Sequence, residues 1–188
     1  NLNSLGVDMM TINGGKIYGP KQTGVLVARG VSISPIIGGG GQERNLRSGT
    51  ENVAGIVGFA KALEQAQQDY KLAAEHVLEL RHVFEEELSR LIPDSKVNGG
   101  KNRLPNSISV TIPDIDNERI TMLLDENGIQ AAAGSACSAS KDEPSHVLKA
   151  VGLSDKDARS TIRFSLGKFT TADSVKNAVH VLAKLCAL

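Results

Sequence analysis

A long stretch without proline limits most strongly what this chain can fold into. From Glu51 to about Ile92, apolar residues recur at helical spacing and the opposite face is charged. The apolar positions are Ile56, Phe59, Leu63, Ala66, Tyr70, Ala73, Val77, Leu80, Phe84, Leu88 and Leu91. We therefore predict one long helix over 51–92 that ends before Pro93. A coiled coil is the alternative, but the stripe is rich in alanine and its heptads are irregular.

Shorter patterns on both sides of this helix predict an α/β protein. We expect residues 1–50 to belong to a larger domain, residues 51–92 to form the connecting helix, and residues 93–188 to form a small α+β domain. The N-terminal part should contain a helix end, strands over 7–12 and 24–28, an extended segment over 31–37, and Thr50 as the N-cap of the long helix. The C-terminal part should contain strands over 106–112, 129–133 and 159–167, and helices over 116–127, 145–151 and from about 172 to 185.

Composition narrows the classes of function. The 188 residues carry 21 basic and 21 acidic side chains, so no net charge attracts nucleic acid or an anionic membrane. Only 3% of residues are aromatic and none is tryptophan, which argues against base stacking. No apolar run suits a membrane span or a signal peptide. Two distant cysteines, Cys137 and Cys186, are too few for a disulfide framework or a zinc site. We expect a cytoplasmic protein.

A lysine between the first two predicted strands is the first candidate for chemistry. Lys16 follows the strand over 7–12, and glycines at 14, 15 and 19 leave the nearby backbone uncrowded. Such a lysine can lean over a planar group and form a Schiff base with an aldehyde. The alternative is an ordinary glycine-rich hairpin whose lysine points into water.

Two further segments contain candidate site residues. Four glycines at 38–41 precede Arg47, Ser48 and Thr50 near the start of the long helix, which indicates either an anion site or a flexible connector. Small residues surround Cys137, so its thiol is either a mobile nucleophile or a buried small side chain. Arg163 lies in an otherwise apolar strand and requires a carboxylate partner, which is either an internal salt bridge or a ligand.

These segments together resemble group I cysteine desulfurases, which are fold type I, class V aminotransferase-like enzymes that use pyridoxal 5′-phosphate. The resemblance rests on residues 16–21 with Gly24, on the arginine-serine-glycine-threonine run at 47–50, and on residues 134–138 with 143–148. It implies that this chain is the C-terminal part of the cofactor-binding large domain, a long bridging helix and a small domain. The family usually has serine and histidine where this sequence has Asn13 and Gly15, although an asparagine amide can also donate to a phosphate oxygen.

The resemblance also implies a role for each candidate residue. Lys16 would carry pyridoxal 5′-phosphate and move the substrate α-proton, while Asn13 would contact the phosphate. Thr50 would reach the phosphate of the partner subunit, so the expected assembly is a homodimer with a shared active site. Arg163 would bind the α-carboxylate of L-cysteine, and Cys137 would form the persulfide. Cys186 would be structural.

The implied reaction converts L-cysteine to L-alanine and delivers sulfur to an acceptor or iron–sulfur scaffold protein, for iron–sulfur cluster or thio-cofactor assembly. We expect no membrane partner and no nucleic acid, apart from an indirect role in tRNA thiolation. The resemblance spans this whole chain but about half of a family subunit, and the other half would pair with the pyridine nitrogen and stack on the ring. The alternatives are a fragment that needs that half, either non-catalytic or part of a split chain, and a related enzyme such as a selenocysteine lyase.

Overall fold

The computed structural model describes residues 2–100, 102–133 and 144–187. The chain divides into two compact units, residues 1–70 and 71–188. This division falls within the long helix, so the three-part boundaries at 50 and 92 stay a prediction. None of the described helices is both long enough and apolar enough to cross a membrane.

The first unit is built around an antiparallel pair of strands. A short helix, α1 (Leu2–Leu5), leads into β1 (Met9–Asn13), and β2 (Gly24–Ala28) returns beside it with Asn13 opposite Gly24. Residues 31–37, for which an extended segment was predicted, form no strand. A single helical turn, α2 (Gln42–Asn45), follows the glycine run, and Glu43 and Arg44 in it have left-handed dihedral angles, with φ of 49° and 59°.

The predicted long helix is confirmed as α3 (Val53–Leu91). Its predicted N-cap, Thr50, is wrong, because Thr50 lies outside the first turn. Asn52 takes that position instead: its Oδ1 accepts from the Gly55 amide at 3.0 Å and its carbonyl accepts from Ile56 at 2.9 Å. An asparagine at this position satisfies amides that have no partner inside the helix.

The second unit contains a three-stranded antiparallel sheet with strand order β3-β4-β5. The strands are β3 (Lys96–Val97), β4 (Ser107–Thr111) and β5 (Thr161–Ser165), and the helices are α4 (Asn117–Glu126), α5 (His146–Ala150), α6 (Asp155–Arg159) and α7 (Ala172–Cys186). Strand β3 and helix α6 were not predicted. The predicted strand over 129–133 is reduced to one bridge between Ala132 and Arg163.

The core of the second unit lies on one face of this sheet. Alternation along β4 and β5 directs Ile108, Val110, Ile162 and Phe164 to that face, where α3, α4 and α7 cover them. The Phe84 ring of α3 packs against the Phe164 ring with centroids 4.9 Å apart. Burying each such side chain contributes about 1.5–3 kcal/mol. The apolar stripe of α3 is therefore buried in its C-terminal half, whereas Ile56 and Tyr70 are 48% and 54% exposed in the first unit.

Candidate functional site

Lys16 lies on a 3₁₀ turn, Gly14–Ile17, directly after β1. Asn13 caps this turn, since its Oδ1 accepts from the Gly15 amide at 2.8 Å. Tyr18 ends the turn with a left-handed φ of 61°, and its amide returns to the Gly14 carbonyl. The turn therefore presents the lysine at the end of the strand pair, as the sequence predicts.

Two of the three glycines in and beside the turn allow close packing within the first unit, whereas the sequence predicted that they leave the backbone near Lys16 uncrowded. A Cβ at Gly14 would lie 2.1 Å from the Thr23 Oγ1 atom, and one at Gly19 would lie 3.1 Å from the Ala62 Cβ. These two glycines therefore let the turn close on itself and pack against α3 within the first unit. Of Gly14, Gly15 and Gly19, Gly15 is the exposed one, next to Lys16 in the chain.

The groups on this turn suit a phosphorylated aldehyde cofactor. The Lys16 side chain is exposed and forms no ion pair or hydrogen bond with the described residues. Because Asn13 accepts the turn amide through Oδ1, its Nδ2 faces away with two hydrogens to donate. A free amine for the aldehyde and an amide donor for a phosphate oxygen thus lie within four residues of each other.

The glycine run and Thr50 belong to a loop that closes by hydrogen bonds. Ser48 is buried and its Oγ accepts from the Gly41 amide at 3.4 Å. Gln42 Oε1 accepts from the Gly49 amide at 3.0 Å. These contacts argue against the flexible-connector alternative. Thr50 is exposed at the end of the loop. Sequence reasoning missed Gln42, because apolar periodicity does not report a side chain that bonds to a loop backbone.

Arg163 lies in the middle of β5. Its Nε is buried and has no hydrogen-bond partner among the described residues. Arg163 also forms no salt bridge with any residue that the structure describes, which argues against the alternative of an internal ion pair. A buried guanidinium nitrogen without an acceptor is costly, so this position suits an incoming carboxylate.

Arg163 is also tied to the segment that carries Cys137. The Arg163 amide donates to the Ala132 carbonyl at 2.8 Å, and the Ala132 amide donates to the Arg163 carbonyl at 3.0 Å. Ala132 precedes Cys137 by five residues in the chain. Cys137 itself lies outside the described residues. The bridge nevertheless fixes the start of that segment beside the arginine.

The candidate residues fall into two groups. Lys16, Asn13 and Thr50 belong to the first unit, while Arg163 and the start of the Cys137 segment belong to the second. Their individual roles stay predictions. Among the described residues, no cluster of histidine, cysteine and carboxylate side chains is arranged to hold a metal ion.

Cys186 has the properties of a structural thiol. It lies in the last turn of α7 and packs against the core of the second unit. Burial disfavours its thiolate and raises its pKa to about 11. Since the thiolate is the nucleophile, a thiol with this pKa reacts poorly near neutral pH.

We expect Cys186 to resist alkylation by iodoacetamide at pH 8, because only about one thiol in a thousand is ionised there. Its rate should rise as the pH approaches about 11. Peptide mapping after timed alkylation measures this, and the urea-unfolded chain is the control, since unfolding restores an ordinary thiol pKa of about 8.5. Labelling of folded Cys186 at pH 8 as fast as in urea would contradict its burial.

The Aminotransferase class-V family model matches residues 1–178 of this chain. The protein named cysteine desulfurase IscS from Dictyoglomus turgidum is 43% identical over 187 residues, covering 98% of this chain and 48% of the relative. Cysteine desulfurase IscS 1 from Archaeoglobus fulgidus is also 43% identical, and the match covers 97% of this chain and 48% of the length of that relative. The chain thus spans about half the length of the curated relatives it matches.

Solved structures agree with these relatives. A NifS-like protein superimposes with a TM-score of 0.87 at 35% identity, covering all of this chain and 48% of the other. The NifS-like protein from Rickettsia africae gives a TM-score of 0.89 at 30% identity, covering all of this chain and 50% of the other. The fold class and the family predicted from the sequence motifs are confirmed. This chain belongs to the class-V aminotransferase family, the pyridoxal 5′-phosphate-dependent family that includes the cysteine desulfurases.

Proposed function

We propose that this chain contributes the lysine, the carboxylate-binding arginine and the sulfur nucleophile of a cysteine desulfurase. The observation that carries the proposal is the buried Nε of Arg163, which has no partner within residues 2–100, 102–133 and 144–187 and lies on the strand bridged to the start of the Cys137 segment. A carboxylate-binding group and a nucleophilic thiol are what an enzyme needs to take sulfur from an amino acid. The related structure titled SspA in complex with cysteine, 32% identical with a TM-score of 0.66, supports L-cysteine as the substrate.

Arg163 orients the substrate in this proposal. A guanidinium binds a carboxylate through two parallel hydrogen bonds, which fixes both the position and the plane of the carboxylate. The backbone bridge to Ala132 holds β5 against the chain that leads to Cys137. Substrate bound on Arg163 is thereby placed beside the base of the segment that supplies the thiolate.

Lys16 holds the cofactor, with Asn13 donating to its phosphate and Thr50 donating to the phosphate of a partner subunit. Pyridoxal 5′-phosphate, when bound, supplies an electron sink that weakens the carbon–sulfur bond of the substrate. The Lys16 amine would accept the substrate α-proton and return a proton.

Cys137 attacks the substrate sulfur as a thiolate. The new sulfur–sulfur bond forms as the carbon–sulfur bond breaks, and the carbon takes up a proton, so that L-cysteine and the Cys137 thiol become L-alanine and a Cys137 persulfide. No outside oxidant or reductant is required. The persulfide sulfur then passes to an acceptor thiol, which we propose belongs to a sulfur-acceptor or iron–sulfur scaffold protein in the cytoplasm.

Replacing Arg163 by lysine tests the orienting role. Lysine keeps the charge but loses the paired hydrogen bonds, so the KM for L-cysteine should rise roughly 10- to 100-fold with a smaller change in kcat. Steady-state sulfide release by the holoenzyme measures both constants. Arg119→Lys on the exposed surface of α4 is the matched control and should leave the KM unchanged. An unaltered KM in Arg163→Lys would remove the arginine from substrate binding.

A further inference from the structure

The sheet of the second unit has a polar face opposite its core. Ser109 of β4 lies opposite Arg163 of β5 in the antiparallel register. Directly opposite residues share a face, and alternate residues along each strand join them. The face consists of Ser107, Ser109, Thr111, Thr161, Arg163 and Ser165. A row of hydroxyl side chains therefore flanks the arginine.

Ser109 and Arg163 form a non-hydrogen-bonded pair, the arrangement in which opposite side chains approach most closely. The amide and carbonyl of Arg163 both bond to Ala132, on the other side of β5 from β4. The Ser109 carbonyl points the other way and accepts from the Asn98 amide at 2.8 Å. Pairs of this type have Cα atoms about 4.5 Å apart, so the Ser109 and Arg163 side chains leave the sheet next to each other.

A series of connected hydrogen bonds determines whether the Ser109 hydroxyl acts as a donor or as an acceptor. Thr161 Oγ1 donates its single hydrogen to the Asp157 carbonyl at 2.6 Å. Thr161 must therefore accept from Thr111, whose Oγ1 lies 2.7 Å away. Thr111 has then used its own hydrogen and must accept from Asn98, whose Nδ2 lies at 2.8 Å. This sequence of donors fixes the orientation of the Asn98 amide.

The second hydrogen of the same amide nitrogen goes to Ser109. Asn98 Nδ2 lies 3.3 Å from the Ser109 Oγ and donates to it. Ser109 thus acts as an acceptor toward Asn98 and keeps its own hydrogen to donate. No residue that the structure describes accepts that hydrogen. Two residues that are directly opposite each other on one face, Ser109 and Arg163, thus each have a donor, the serine hydroxyl and the arginine Nε, for which the described part of the chain supplies no acceptor.

We propose that Ser109 is a second carboxylate-binding residue, which donates its hydroxyl hydrogen to the carboxylate that Arg163 binds. The ligand class is the α-carboxylate of an amino acid, and the inference rests on the proposed role of Arg163. Each carboxylate oxygen has two lone pairs, so one oxygen can accept from Ser109 in addition to its hydrogen bond with the Arg163 guanidinium. Asn98 supports this contact. Its amide nitrogen donates to the Ser109 oxygen and therefore cannot accept the serine hydrogen.

The test uses Nε–Hε signals of arginine in nuclear magnetic resonance spectra of the ¹⁵N-labelled chain, with sodium acetate as the probe. Acetate should shift the Arg163 Nε–Hε signal saturably, and sodium chloride at equal ionic strength should not. Ser109→Ala should weaken acetate binding about tenfold, the effect of one hydrogen bond to a charged group in a half-exposed site. Ser109→Thr keeps the hydroxyl and should restore most of the affinity.

Ser107→Ala is the matched control, because Ser107 has the same side chain on the same strand and face but lies opposite Ser165 instead of Arg163. Its acetate affinity should equal that of the unaltered chain. Equal affinity in Ser109→Ala would overturn the role of Ser109 alone, while a raised KM in Arg163→Lys would still support the proposed function. An Arg163 signal that ignores acetate at every concentration would overturn both roles.

In the holoenzyme, Ser109→Ala should raise the KM for L-cysteine about tenfold and change kcat little, because the contact is made to a carboxylate that does not react. A purely structural role would instead lower the unfolding temperature without changing the KM. Ser109→Ala removes the bond from Asn98 to Ser109, but the bonds that join Asn98 to Thr111 and Thr111 to Thr161 do not involve the Ser109 hydroxyl, so the sheet should remain intact in this variant. A lower unfolding temperature with an unchanged KM would contradict the proposal.

Discussion

Cys137→Ala is expected to lower sulfide formation from L-cysteine by about a thousandfold or more in the holoenzyme, because a covalent catalyst without its nucleophile has no alternative acceptor for the sulfur. The cofactor should still bind, since the proposed cofactor contacts lie in residues 13–16 and at Thr50. Two measurements check this: sulfide release in the presence of a thiol reductant, and the mass of the alkylated peptide that contains residue 137 after exposure to L-cysteine.

Cys186→Ala is the control for this experiment. Cys186 is half-buried against the core and its pKa is raised to about 11, so we expect that it does not replace Cys137 near neutral pH. The control variant should form the persulfide on residue 137 at the normal rate. Sulfur transfer at the full rate by Cys137→Ala, or a persulfide found on Cys186, would contradict the assignment of the nucleophile.

Lys16→Ala should abolish both the covalent attachment of pyridoxal 5′-phosphate and the activity, with a loss again of about a thousandfold or more. The lysine amine is the only group of the turn that can form a Schiff base with the aldehyde. After borohydride reduction, mass spectrometry of the unaltered holoenzyme should find the pyridoxyl group on residue 16. The variant should lose this modification together with the visible absorbance of the lysine-bound cofactor.

Lys21→Ala provides a matched control in the same loop. Lys21 is exposed and lies between the 3₁₀ turn and β2, so its removal leaves the Asn13 cap and the strand pair unchanged. This variant should keep the modification on Lys16. A pyridoxyl group found on Lys21, or normal activity of Lys16→Ala, would show that the turn does not hold the cofactor in the proposed way.

Long periodic elements could be predicted from the sequence. The stripe along α3, the alternation in β4 and the helical patterns of α4 and α7 are local signals, and the structure has the corresponding elements. Some short elements were missed, although α5, which is as short as α6, was predicted. β3 has two residues and α6 has five, lengths at which a periodic pattern carries little information.

The N-cap of α3 and the turn glycines illustrate a second limit. Thr50 and Asn52 are both good capping residues, and only the backbone geometry selects Asn52. Gly14 and Gly19 were predicted to leave room for a ligand, but the atoms that exclude a side chain there belong to Thr23, Ala62 and the turn itself. Such contacts are made with other segments of the chain, so the pattern of neighbouring residues does not predict them.

The sequence by itself determined the class of elements, the family motifs and the residues that can carry the chemistry, because periodicity and residue type act locally along the chain. Only the tertiary structure decided which polar groups remain unsatisfied. Among the described residues, Arg163 has no acceptor for Nε. Ser109 keeps its hydrogen because it accepts from Asn98, whose amide is oriented by Thr111 and Thr161 on two other segments. The satisfaction of a hydrogen bond depends on every group that folding brings near it, so no local pattern could have shown this pair of donors.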